Sequence, residues 1–205
     1  MPGANSDFFD DMTSFLTLEK SDFRTGTFAT ELAFSVTPRL DIVAGLDLNR
    51  VNQPSEDREM EELLPNGTRV PIQQTTELSE MNFAVSAKFS LLPRGQRVSR
   101  LAWIPRTFVP YVGAGGGYGK YTLSQNGDFV DFNDNHIFSD TFRSEGWTPL
   151  VQAFGGTDIQ LYRHLVLSLE GRYTWKKATL SADYANYEPI DLGGFRFGAG
   201  VHFAF

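Results

Sequence analysis

The last fifteen residues constrain this chain more than any other stretch. From Asp191 to Phe205, Phe195, Phe197, Ala199, Val201, Phe203 and Phe205 fall on one face, and Arg196, Gly198, Gly200, His202 and Ala204 fall on the other. A period of two held to the final residue is a β-strand with one apolar face. Chain ends usually fray and are polar, so an aromatic strand at the very terminus calls for a surface that shelters it.

The same period recurs upstream. Leu165, Leu167, Leu169, Gly171, Tyr173 and Trp175 oppose Ser168, Glu170, Arg172 and Thr174, while Val151, Ala153, Ile159 and Leu161 oppose Gln152, Asp158 and Gln160. Met81, Phe83, Val85, Ala87, Phe89 and Leu91 alternate with Asn82, Ala84, Ser86, Lys88 and Ser90. Ile42, Ala44, Leu46 and Leu48 alternate with Asp41, Gly45, Asp47 and Asn49; Phe28, Leu32, Phe34 and Val36 alternate with Ala29, Glu31, Ala33 and Ser35. A seventh strand, Phe108 to about Tyr121, carries Gly113, Gly115, Gly116 and Gly117, and glycine hides which of its faces is which.

Only Ser99 to Ile104 competes as a helix, so the reading is all-β in a single domain, 1–205: seven recognisable strands over 28–205 and an acidic N-terminal segment, 1–27, expected to be an external loop. Connections alternate between short (Thr37 to Leu40, Tyr162 to His164) and long (Val51 to Thr76, Thr122 to Thr148, Lys176 to Ile190), with Arg94 to Arg106 intermediate. This is the rhythm of an antiparallel up-and-down sheet with turns at one end and loops at the other.

Composition narrows the function. A net charge of −7 argues against nucleic acid, which needs a basic face. Zero cysteines exclude disulfides and thiolate sites, and three dispersed histidines form no ligand motif, so no metal and no cofactor is expected. Asp128, Asp131 and Asp134 lack the spacing of a calcium loop. His136, Ser139 and Asp140 are neighbours in sequence, which is not the test of a catalytic triad. No enzyme is expected.

A soluble calyx and a membrane barrel share the period, and the charges decide between them. Glu31, Asp47, Lys88, Asp158, Glu170, Arg172 and Arg196 occupy mid-strand positions on the polar face, where both signs would pair inside a barrel. Tyr111, Tyr121, Tyr173, Trp175, Phe203 and Phe205 cluster near strand ends, as in the aromatic girdles of membrane proteins. The expected fold is a transmembrane β-barrel of the eight-stranded class, apolar face outward.

The closing stretch Gly198 to Phe205 resembles the C-terminal signal of bacterial outer-membrane proteins, carried here by Gly200, Val201, Phe203 and Phe205. Pro110 to Tyr118 resembles the fifth strand of the small OmpA-like barrels, and Leu32 to Asp41 their second hairpin. The resemblance spans about residues 28 to 205 and implies location in the outer membrane, contact with its lipids, and insertion by the barrel-assembly machinery that reads such a signal. That superfamily hosts structural proteins, adhesins, small pores and lipid enzymes.

An eight-stranded interior is filled by side chains, which favours a plugged barrel with a structural or interaction role over a channel. The partner would be an unknown external one, met through acidic loops bearing Glu56, Asp57, Glu59, Glu61 and Glu62, or Asp128, Asp131, Asp134, Asp140 and Glu145 with Phe129, Phe132, Phe138, Phe142 and Trp147. The alternative is a small cation-preferring pore, and a lipid-modifying enzyme stands third. Arg94, Arg97, Arg100 and Arg106, with Trp103 and Ile104, are expected to form an exposed linker on headgroups. Seven strands fall one short of the even number usual in bacterial barrels, so the first strand is expected to lie outside this chain.

Overall fold

The computed structural model describes residues 7–63, 67–97, 103–131, 136–162 and 164–203. Strands β1 (Thr27–Ser35), β2 (Leu40–Leu63), β3 (Arg69–Ser90), β6 (Phe108–Asp131), β7 (His136–Tyr162), β8 (Leu165–Ala178) and β10 (Gly194–Phe203) form one meander in that order. Every neighbouring pair is antiparallel. The two-residue β9 (Ile190–Asp191) pairs with β8 as an eighth strand of the sheet. A separate ribbon, β4 (Gly95–Arg97) with β5 (Trp103–Pro105), occupies the intermediate connection. Pairing ends at β1 and β10, so the sheet is not closed.

The all-β reading and the turns at one end match the sequence. Two of the three long loops do not, whereas Lys176 to Ile190 is a connection with one 3₁₀ turn, Ala182–Tyr184. β2 and β3 stay paired to Leu63 and Arg69, with one bulge between Glu56 and Glu61, and β6 and β7 stay in register to Asp131 and His136, so 51–76 and 122–148 are tall hairpins. The reason is an inversion of polarity. One rung across β2, β3, β6 and β7 is Leu46, Phe83, Tyr118 and Pro149, on the outer wall. Higher up, the outer rung reads Asn52, Glu77, Ser124 and Arg143, while the inner one reads Val51, Leu78, Leu123 and Ser144. The strand continues; the side that carries its apolar residues changes.

Of residues 1–27, the described part, 7–27, is not simply a loop either. Helix α1 (Asp7–Phe15) and a 3₁₀ turn (Lys20–Phe23) lie at the tall-hairpin end. Leu16 bridges to Asp57, Thr17 and Glu56 exchange hydrogen bonds of 2.9 Å, and Arg58 Nε donates to the Leu16 carbonyl at 2.8 Å. Met12, Leu16, Leu18 and Phe23 are thereby buried against the inner rungs of the hairpins. Of Ser99 to Ile104, the one competing helical window, 99–102 lies outside the described residues and Trp103 and Ile104 belong to β5.

Candidate functional site: the charged interior and its open seam

In the lower part of the sheet the polar face points inward. Asp41, Asp47, Asn82, Ser86, Gln152, Ser168, Arg172 and Lys176 are buried, whereas Phe28, Phe34, Val85, Val151, Trp175, Phe195, Phe197 and Phe203 stand exposed on the outer wall. Phe197 is 75% exposed, within a continuous apolar belt.

The glycines of β6 resolve the strand whose faces the sequence hides. Tyr111, Gly113, Gly115, Gly117, Gly119 and Tyr121 point inward, Val112 and Tyr118 outward. A Cβ at Gly113 would meet the Phe154 ring, and one at Gly119 would meet Asn82 Oδ1 and lie 3.3 Å from Lys176 Cδ. The bare backbone leaves room for long side chains from the other strands. It also removes Tyr111 and Tyr121 from the expected girdle: both are buried, one in the interior and one in the mouth, while Tyr173, Trp175 and Phe203 are on the outer wall and Phe205 lies outside the described residues.

All seven charged residues read from the polar face meet one another. Arg172 Nη2 reaches Glu31 Oε1 at 2.5 Å while its Nε donates to Glu170 Oε1 at 2.8 Å. Arg196 holds Asp47 at 2.5 Å, and Lys88 holds Asp158 at 2.8 Å. Asp158 and Glu170, on consecutive strands, are therefore neutralised by separate cations, Lys88 and Arg172.

Other members were not read in advance. Lys176, its side chain 1% exposed, pairs with Glu80 and donates to Asn82 Oδ1 at 2.9 Å. It lies just past the last residue of the visible alternation, where Ala178 already belongs to the upper apolar core. Tyr111 Oη donates to Glu170 Oε2 at 3.0 Å, with Lys88 over its ring and Arg172 over that of Phe154. Arg94, expected on an exposed linker, turns back instead: it pairs with Asp41 and donates to Ser35 Oγ at 2.7 Å. The carboxylate of Asp41, buried at the turn end, supplies the reason. Arg100 lies outside the described residues.

Among the described residues, five cations thus pair with six carboxylates across the interior, with Arg172 shared by two. Such pairs repay their desolvation only when geometry and further hydrogen bonds are good.

Above them, the mouth is closed by an ordinary apolar core. Met12, Leu16, Leu18 and Phe23 meet Val51, Leu78, Tyr121 and Leu123, and residues 178–192 contribute Ala178, Leu180, Tyr184, Ile190 and Leu192. Tyr121 Oη donates to the Thr179 carbonyl at 2.5 Å, and Tyr184 Oη to Gln125 Oε1 at 3.0 Å. Burial pushes the Tyr184 hydroxyl well above the usual phenol range, with Asp183 adding to it.

No protein-family model matches the chain, and no curated protein does. The site must therefore be read from its own geometry. A cavity of about 680 Å³ opens between β1 and β10, lined by Asp47, Glu170, Arg172 and Arg196 inside and by Phe28 and Phe197 outside. It pierces the wall at the seam. His202 borders it on β10, in register with Val166. No group of three or more His, Asp or Glu among the described residues is placed to hold a metal ion.

Proposed function

We propose that this chain is a bacterial outer-membrane β-barrel protein whose interior is sealed along its axis, its role structural or interactive through the two tall hairpins. The observation that carries the reading is the double seal: a compensated charge network low in the barrel, and an apolar core across its mouth. Neither leaves a wide aqueous path.

The membrane reading is supported by the inversion of polarity, because only a lower outer wall in hydrocarbon makes both halves of each strand favourable. On β8 the apolar stretch Leu165 to Trp175 is 11 residues, against the roughly 9 to 11 that a tilted strand needs to cross. The upper boundary falls on the rung Leu48, Met81, Lys120 and Trp147, where an aromatic ring and a cation occur side by side, as suits an interface. Gly200, Val201, Phe203 and Phe205 would serve as the signal for the assembly machinery, Val201 and Phe203 being presented on the outer wall. The tall hairpins would then stand outside the cell, where an external partner would meet them.

Planar-bilayer recording tests the seal. Purified protein is expected to give no sustained conductance steps; stable, cation-selective steps would overturn the reading in favour of a small pore. Fractionation of envelope membranes tests the location, with the chain expected in the outer-membrane fraction.

A further inference from the structure

We propose that the seam between β1 and β10 is the seat of one further strand, supplied by a segment joined to the N-terminal end of α1, with apolar residues facing lipid and small polar ones facing the cavity. The lipid-facing half of this statement rests on the membrane reading above; the rest comes from topology.

Seven strands in an antiparallel meander leave the two edges running the same way. β1 descends from Thr27, paired to Asn49 near the mouth, to Ser35 at the turn end; β10 descends from Gly194 to Phe203, which pairs with Leu165 beside the lower turn. They cannot pair antiparallel with each other, and the structure leaves them unpaired. One ascending strand between them would satisfy both edges at once, and the barrel would have no open edge in hydrocarbon.

The seam has the character of a vacated berth. Ala29, Ala33 and Ser35, whose parity is inward, are exposed as fully as their outward neighbours, unlike inward residues of the central strands. The cavity there is lined from both faces of the wall, Phe28 and Phe197 outside, Asp47 and Arg172 inside. The carboxylates in its lining are already paired, Glu170 with Arg172, Asp47 with Arg196 and Glu80 with Lys176, which is why the entering strand needs small neutral residues inward, not new charges.

Polarity also selects the source. An ascending strand ends at the mouth, where α1 is anchored through Leu16 and Thr17, and Phe23 to Ala29 run along the upper lip of the cavity. A second copy does not fit: two chains inserted the same way up bring only descending edges together, so every pairing between them would be parallel.

The sequence has no cysteine, so introduced thiols report cleanly. The full chain is extended at its N-terminus by a strand of about ten alternating Val and Thr residues and a short Gly-Ser joint, with one outward Val replaced by Cys. It is reconstituted in phosphatidylcholine vesicles together with Leu32→Cys in one variant and Ala199→Cys in another. Intramolecular disulfides to both positions are expected, with at least a tenfold longer half-life in warm dodecyl sulfate than for the unextended chain. Three outcomes would overturn the proposal: a direct disulfide between Leu32→Cys and Ala199→Cys in the unextended chain, equal protection from the same strand fused after Phe205, or β1-to-β1 links between copies. Failure of the membrane reading looks different, since the chain would then not enter vesicles at all, with or without the extension.

Discussion

The lower barrel and the upper hairpins are built from the same strands and obey opposite rules. Below the Lys120–Trp147 rung the interior is held by ion pairs such as Lys88–Asp158 and the outer wall is Phe, Leu and Val. Three residues further along each strand the interior is Leu78, Leu123 and Val51, and four residues further the outer wall is Asn52, Glu77 and Arg143. Backbone pairing takes no part in the change, for the register runs through without a shift from Ser90 to Gln74 against β6. On the membrane reading proposed above, a sheet's inside is defined by the solvent outside it: with hydrocarbon around it, polar groups must find each other in the middle; with water around it, the hydrophobic effect packs the middle itself.

The comparison can be broken first at its charges. Arg172→Met leaves Glu31 and Glu170 without their cation in a site where its own side chain is only 9% exposed. A loss of about 3 to 5 kcal/mol is expected on unfolding by urea in vesicles, because the stranded carboxylates stay buried. The triple change with Glu31→Gln and Glu170→Gln should recover much of it. Arg196→Ala should belong to the same class, and so should Arg94→Ala, since each leaves a buried aspartate, Asp47 or Asp41. A negligible effect of Arg94→Ala would show that the turn end is wet.

The upper region should fail by a different route. Leu123→Ala removes a fully buried side chain from the mouth core and is expected to cost about 2 to 5 kcal/mol. In bilayer recordings the same variant should flicker open where the parent is silent. An insensitive Leu123 would mean that the mouth core is not a seal.

Arginine scanning sharpens the boundary itself. Val85→Arg, on the lower outer wall, is expected to cost about 2 to 4 kcal/mol in a bilayer, and Thr75→Arg, on an outer rung above the boundary, within about 0.5 kcal/mol of nothing. Equal costs would remove the membrane reading altogether.

The smallest effect lies at the water-facing rim. Arg143, donating at 2.8 Å, and Lys120 hold the Glu145 carboxyl below its ordinary range. A carboxyl lowered in the folded state adds stability above its unfolded pKa and loses it as pH falls through the folded value. Glu145→Gln should therefore narrow the difference in unfolding midpoint between neutral and acidic pH only slightly, the group being fully exposed.

How much of this was legible follows from the inversion. Where apolar residues keep one parity, as from Met81 to Leu91 or Phe195 to Phe203, the strands and their inward charges are readable residue by residue. Across Val51, Leu78 and Leu123 the apolar parity flips, and a reader following hydrophobic residues sees the strand stop. Each of these positions in fact continues the old inward parity, so the backbone period could have been carried through them. Tyr111 and Tyr121 mislead for a related reason: they bracket the glycine-rich run 113–119, which hides the side on which either of them stands. Arg94 was hidden because its partner, Asp41, is 53 residues away and only the closed turn end brings them together. The burial of Met12, Leu16 and Leu18 was hidden likewise, since a short amphipathic segment rich in acid looks the same whether it waves in water or caps a core.

The mouth core has a consequence for how the molecule is made. It joins residues 12–23 to residues 178–192, two segments far apart in the chain. Contacts of such long sequence separation are the slowest to be rewarded, since the intervening chain has to be ordered first. The lid is therefore expected to set last, once the strands between have found their neighbours. A chain stalled part-way through assembly leaves Leu16, Phe23, Tyr184 and Leu192 uncovered, a greasy flag by which quality control could tell an unfinished molecule from a finished one.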